Sequence, residues 1–184
     1  YDLFKERKDI LGAWQRKYQY ILVDEFQDIN RVQYEIVRML AAPENNLFIV
    51  GDDDQSIYRF RGAKPEIMLG FEKDYPDAER VLLNINFRST KDIVDTAGKL
   101  IAHNKTRFPK EIVTKQGRGK PVVTRVWKDP QEETLEIVHE ITDYTGAGYA
   151  WSDIAVLYRT NLGPRLLIEK LMEYNIPFCM KDAV

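Results

Sequence analysis

The chain has little of what builds crosslinked, metal-bound or membrane-embedded proteins. Cys179 is its only cysteine, which excludes a disulfide framework. Its two histidines, His103 and His139, lie far apart in sequence without ligand spacing. No apolar run approaches the roughly 20 residues that a membrane helix needs, and no signal peptide is visible. Internal repeats and low-complexity tracts are also absent. Charge of one sign does not dominate, since 27 Lys+Arg face 29 Asp+Glu. The chain opens at Tyr1, in what already reads as a helix, and a piece of something longer is expected.

What remains is ample for a folded core: 184 residues, 44% hydrophobic, with ten Tyr, eight Phe and three Trp. Regular apolar segments of this kind exclude disorder. The near-neutral total conceals an asymmetry. Residues 1–80 carry 12 basic and 16 acidic side chains, whereas residues 81–184 carry 15 and 13. Within the second part, Arg88 to Lys128 holds 11 basic residues against Asp92, Asp95 and Glu111. Such a stretch suits phosphate-bearing partners, and it equally suits a solvated surface.

Short apolar runs alternate with segments of helical period, the pattern of an α/β chain with mostly parallel sheets. Tyr20–Val23 and Leu47–Val50 read as strands buried on both faces. Further strands are expected at Val81–Leu83, Val122–Trp127, Ile154–Tyr158 and Phe178–Met180. Helical faces are expected on Phe4/Leu11/Trp14, Val32/Ile36/Met39/Leu40, Ile93/Val94/Ala97/Leu100/Ile101, Leu135/Val138/Ile141 and Leu167/Lys170/Leu171/Tyr174. A short helix is expected near Glu66–Phe71, and residues Phe108–Pro121 read as a surface excursion. Turn residues at Asp74–Asp77 suggest two lobes meeting near residue 77.

Three strand-to-helix junctions carry chemistry. At Ile21-Leu-Val-Asp-Glu-Phe-Gln-Asp28, Asp24 and Glu25 fall at a strand's carboxyl end, where α/β sheets bind ligands. One carboxylate there can hold a Mg²⁺ that bridges nucleotide phosphates, and the next can orient or deprotonate a water. An acidic strand end can equally serve as a helix cap. At Gly51-Asp-Asp-Asp-Gln-Ser-Ile-Tyr-Arg-Phe-Arg-Gly62, Gly51 permits a sharp exit from the strand, and Gln55 offers an amide suited to a terminal phosphate and its water. Tyr58, Arg59, Phe60 and Arg61 interleave aromatic and cationic groups as a base-stacking platform would. Core-facing aromatics and a solvated acidic turn are the plainer account. The aspartates lack the alternate spacing of an EF-hand. At Leu83-Asn-Ile-Asn-Phe-Arg-Ser-Thr90, Ser89 or Thr90 can cap a helix, Phe87 can stack on a base, and Arg88 can fork onto phosphate or make a surface salt bridge.

Taken together, Asp24-Glu-Phe-Gln-Asp28, Gly51 to Ala63, and Asn86-Phe-Arg-Ser-Thr90 resemble motifs II, III and IV of UvrD/PcrA/Rep-type superfamily 1 DNA helicases. Their order and spacing are far more specific than any one of them. Ile154 to Asn161 and Glu173 to Phe178 resemble that family's second motor domain. The resemblance implies two RecA-like P-loop NTPase-type lobes, both incomplete here: residues 1–77 as the C-terminal part of domain 1A and 78–184 as the N-terminal part of 2A. It implies ATP and Mg²⁺ in the cleft, single-stranded DNA across the top, and a cytoplasmic, nucleoid-associated protein that translocates 3′ to 5′ and unwinds duplex junctions.

Carried over by position, Asp24 and Glu25 would meet the metal, and Glu25 would activate water. Gln55 would contact the terminal phosphate, Phe87 would stack on adenine, and Arg88 would act as an arginine finger. Tyr58 and Phe60 would touch DNA bases, and Arg61 would couple the two sites. Phe60 and Phe87 stand where the family usually has Trp and Tyr, keeping the stacking face without the polar handle, and Ile29 replaces a more usual Thr. No G-x-x-x-x-G-K-[ST] phosphate loop occurs in the chain. That motif would lie upstream, and motifs V and VI downstream, so the chain alone is expected to be inactive. An AddA- or RecB-type helicase–nuclease, a non-catalytic nucleic-acid-binding module and a Mg²⁺-dependent hydrolase using Asp24 with Asp52–Asp54 are the alternatives.

Overall fold

Helix formation begins at once but is interrupted: α1 (Asp2–Glu6) and α2 (Lys8–Lys17) are separated at Arg7, whose φ of −108° and ψ of 81° leave the helical region. The computed structural model describes residues 1–58, 62–160 and 162–180. Contacts divide the chain into two units, Tyr1–Val122 and Val123–Val184. This division lies later in the chain than the lobe boundary expected at residue 77.

In the first unit, strand β1 (Ile21–Val23) pairs in parallel with β2 (Leu47–Ile49), Leu22 opposite Phe48. Helix α3 (Arg31–Ala41) makes the crossover. Its start is set locally by a capping box, in which Gln33 N–H donates to Asn30 Oδ1 at 3.0 Å and Asn30 N–H donates to Gln33 Oε1 at 2.9 Å. Its end at Ala42 is imposed by Pro43. Two short helices, α4 (Pro65–Leu69) and α5 (Phe71–Asp74), meet at Gly70.

The core beneath β1 and β2 contains Phe26, Ile29, Tyr34, Ile67 and Phe71, with Val23, Val37, Leu47 and Ile49 packed against it. Phe26 is fully buried and meets Tyr34 and Phe71 edge-on, with ring centroids 5.9 and 5.7 Å away. Tyr34 donates its hydroxyl to Asp74 Oδ2 at 2.7 Å, and burial followed by that bond pushes its phenol well above the usual range. Burial of the strands on both faces was expected and is not found. Leu22 is 73% and Phe48 61% exposed, because the core covers one side of the pair only.

The second sheet also departs from expectation. Val81–Leu83 forms no strand and is exposed; pairing begins at β3 (Ile85–Asn86), which joins β4 (Val113–Thr114) in parallel. Helix α6 (Lys91–Ile101) lies between them. Phe108–Pro121 is therefore no mere surface excursion, since it supplies β4 and the largely buried Lys110.

The second unit consists of α7 (Pro130–Gly146) and α8 (Arg165–Glu173) packed through Val138, Ile141, Leu167, Leu171 and Ile176. Asp129 caps α7 by accepting from Gln131 and Glu132 N–H, and Pro130 occupies the first turn, where its missing donor costs nothing. The strands expected at Val122–Trp127, Ile154–Tyr158 and Phe178–Met180 are not formed among the described residues. A strand needs a neighbour for its peptide groups, and none is paired with these segments. Val126 and Leu157 are each 94% exposed. No helix among the described residues is long and apolar enough to cross a membrane.

Candidate functional site

The carboxyl ends of β1 and β2 lie side by side and are stitched together. Val50 N–H donates to Val23 carbonyl at 2.8 Å, and Phe26 N–H donates to Val50 carbonyl at 2.9 Å. Between these bonds, Asp24 and Glu25 leave the sheet as an exposed pair. Glu25 sits at φ 50°, ψ 41°, left-handed geometry that a non-glycine residue adopts at a cost. Its N–H donates to Asp24 Oδ1 at 2.8 Å. The following turn, Phe26–Asp28, is anchored by the buried Phe26 ring.

Gln27 connects the two strand ends, a role that nothing in its sequence neighbourhood signals. It is 1% exposed, and its Nε2 donates to Glu25 Oε2 at 2.7 Å. Its Oε1 accepts from Asp52 N–H at 3.0 Å, and its carbonyl accepts from Ser56 Oγ at 3.2 Å. The amide thus orients Glu25 while holding the second loop against the first. Gly51 allows that approach: a Cβ there would stand 2.6 Å from Gln27 Oε1 and 3.1 Å from Phe26 N. The expected sharp exit from the strand is thus less important than the absence of a side chain. Gly51→Ala is expected to cost about 1–3 kcal/mol through this overlap, read as a lowered urea midpoint. An unchanged midpoint would show that the loop can withdraw freely.

Asp52 opens a short turn over Asp53–Gln55 and accepts from Asp54 N–H at 3.1 Å. Its Oδ2 accepts from Gln55 Nε2 at 2.9 Å, leaving Gln55 exposed at the end of the network. The three aspartates are not a solvated turn, because Asp53 is 5% exposed and cations meet all three. Arg107 forks onto Asp54 at 2.7 and 2.6 Å, Lys110 Nζ donates to Asp52 and Asp53, and Phe108 N–H donates to Asp53 Oδ2 at 2.8 Å. Burial alone would raise the Asp52 carboxyl, but the bonds from Lys110 and Gln55 outweigh it and hold it below the usual range.

At the third junction, Asn86 Oδ1 accepts from Arg88 N–H at 2.9 Å and Ser89 N–H at 2.8 Å, turning the chain sharply after β3. That turn presents Phe87, 67% exposed, and an exposed Arg88 that makes no salt bridge among the described residues. Thr90 takes the cap position of α6, but its side chain accepts no capping bond. Much of the basic excess over Arg88–Lys128 is consumed internally. Lys91 pairs with Asp95, Arg118 with Asp92, Arg125 with Glu140, and Arg107 and Lys110 with the aspartates.

The structure thus joins Asp24, Glu25 and Gln55 through Gln27, which sequence reasoning passed over, and Asp52, which it named only for the hydrolase alternative. Phe87 and Arg88 share no hydrogen bond with that network among the described residues. Tyr58 is 37% exposed, while Arg59, Phe60 and Arg61 lie outside the described residues. No group of three or more His, Cys, Asp or Glu is placed to hold a metal unaided among the described residues. The direct hydrolase alternative therefore fails, because Asp52–Asp54 already face Arg107 and Lys110.

Residues 1–76 match the model of the UvrD/REP helicase N-terminal domain, and residues 81–184 match that of the UvrD-like helicase C-terminal domain. Among individual proteins, the YjcD protein of Bacillus subtilis (strain 168) is 46% identical over 184 residues, covering 100% of this chain and 24% of the relative. The ATP-dependent DNA helicase PcrA of Leuconostoc citreum is 43% identical over 180 residues, covering 97% and 24%. The PcrA of Staphylococcus aureus (strain NCTC 8325 / PS 47) is 41% identical over 179 residues, again covering 97% and 24%. The chain spans about a quarter of the length of these relatives. With one domain model matched on each side of residues 77–80, the chain belongs to the UvrD-like helicase family.

Proposed function

We propose that the chain is the junction of two RecA-like lobes, residues 1–77 and 78–184, in an ATP-dependent DNA helicase. ATP hydrolysis there drives 3′ to 5′ movement along single-stranded DNA and unwinding at duplex junctions, in the cytoplasm at the nucleoid. The observation that carries this reading is the network running from Glu25 through Gln27 and Asp52 to Gln55, at the carboxyl ends of two parallel strands. The uncovered sheet face at Leu22 and Phe48 supports a larger parent, since apolar surface of that kind ordinarily packs against more protein.

Each residue has a task in this reading. Glu25 keeps Oε1 clear of hydrogen bonds among the described residues while Gln27 fixes Oε2, so it can orient a water and take its proton. Gln55 contacts the terminal phosphate, and Arg88 offsets charge that develops on it. Phe87 stacks on adenine, while Tyr58, Phe60 and Arg61 face DNA. Asp24 and Glu25 are hard oxygen donors, too few for a protein-only cage but suited to Mg²⁺, which takes one or two carboxylates together with nucleotide phosphates. Mg²⁺ bound there would supply charge neutralisation for the phosphates.

The 184-residue chain alone is proposed to be inactive, because its sequence holds no phosphate-binding loop. Hydrolysis of ATP by the full-length protein, with and without single-stranded DNA, tests the reading. Strong stimulation by DNA is the expected outcome. Hydrolysis indifferent to DNA, or none, would leave a helicase-like fold used for binding alone.

A further inference from the structure

Residues 107–116 touch both halves of the candidate site. At one end, Arg107 and Lys110 meet the Asp52–Asp54 carboxylates and Phe108 N–H donates to Asp53. At the other, Thr114 Oγ1 donates to the Ser89 carbonyl at 2.7 Å, and Gln116 Nε2 donates to the Phe87 carbonyl at 2.9 Å. Strand β4 lies between these ends and is paired to β3, which leads directly into Phe87 and Arg88.

We propose that residues 107–116 are a positioning strap, in which Lys110 holds Asp52 so that Asp52 fixes Gln55, tying Gln55 to the segment that carries Phe87 and Arg88. This rests on the reading of Gln55 as the residue that meets the terminal phosphate. The two oxygens of Asp52 are divided between the partners: Oδ1 accepts from Lys110 and Oδ2 from Gln55. Rotation of Asp52 would release the amide. Three adjacent carboxylates would repel one another without the two cations, and the side chains of Lys110 and Asp53 are only 7% and 2% exposed. Burial favours neutral Lys110, yet the bonds to Asp52 and Asp53 hold its ammonium above the usual range, so the charge stays in place at neutral pH. Lys110 is therefore a positioning residue for Gln55 and makes no contact with the reacting atoms.

A double-mutant cycle in the full-length protein tests this, using DNA-stimulated ATP hydrolysis for Lys110→Gln, Gln55→Ala and the pair. Lys110→Gln is expected to lower kcat about tenfold with KM for ATP little changed, and Lys110→Arg to restore most of it. In the Gln55→Ala background, Lys110→Gln should have no further effect. Additive losses, or an unchanged kcat in Lys110→Gln, would overturn the proposal while leaving the role of Gln55 intact. Full activity in Gln55→Ala would overturn both. Should thermal unfolding show Lys110→Gln to be misfolded, Asp52→Ala, which removes the acceptor shared by Lys110 and Gln55, takes its place in the same cycle with the same expectations of a lowered kcat and no further effect in the Gln55→Ala background.

Discussion

Glu25→Gln in the full-length protein is expected to lose roughly 10²–10⁴-fold in ATP hydrolysis, the usual contribution of a positioned general base. The substitution is informative because it changes little else. Gln matches Glu in shape, and its amide oxygen can still accept the bond that Gln27 Nε2 now makes to Glu25 Oε2. The left-handed backbone at φ 50° stays equally accessible, since both residues bear the same substitution at Cβ. What disappears is basicity toward a water. Nucleotide binding should survive if, as proposed, Asp24 meets the phosphate-bound cation. Parallel measurement of turnover and of nucleotide affinity checks this. A loss confined to affinity would reassign Glu25 to holding the metal, and an unchanged turnover would remove it from the chemistry.

Phe26→Ala is expected to destabilise the first unit by about 3–5 kcal/mol, the range for emptying a buried aromatic site. Phe26 stands between the Asp24–Glu25 pair and Gln27 in sequence, yet it faces the opposite way, fully buried against Tyr34 and Phe71. These neighbours are themselves held. Tyr34 is bonded to Asp74, and Phe71 stacks on Tyr75 at 4.7 Å, so the cavity has little freedom to collapse. The urea midpoint should fall at an unchanged slope. Glu25 should lose its geometry with it, because the turn that presents Glu25 hangs from the Phe26 ring and from the Phe26 N–H bond to Val50. A loss below about 1 kcal/mol would mean that the surrounding rings close over the gap. Phe26 is thus the apolar anchor of this turn, beside the polar bridge that Gln27 makes to Glu25 and Asp52.

The cap expected at Ser89 or Thr90 makes no side-chain bond. Asn30 and Gln33, which sequence reasoning left unmarked, set the start of α3, because a capping box needs only residues three apart. Asp129 followed by Pro130 does the same for α7. Strands β1 and β2 stood out as short apolar runs ahead of acidic turns, and the order of three long motifs pointed to the family. The strand reading of Val81–Leu83, Val122–Trp127 and Ile154–Tyr158 failed for the converse reason. An apolar run reports a preference, whereas a strand also requires a partner whose peptide groups are in register.

The sequence by itself therefore determined the local devices and the inventory of chemical groups: the caps, the apolar runs, the paired carboxylates at Asp24 and Glu25, and the glutamine and arginine of the later motifs. Only the tertiary structure decided which groups meet. Gln27 bridging Glu25 to Asp52 spans 25 residues of chain, and Lys110 reaching Asp52 spans 58. Such contacts depend on how strands and loops are stacked, and chain spacing carries no direct record of them. The same holds for Gly51, whose necessity follows from a side chain 24 residues earlier that leaves no room for a Cβ. Local geometry is encoded within a few residues because backbone hydrogen bonds there are short-range. The assembly of a site is encoded in packing, which emerges only once the chain has folded onto itself.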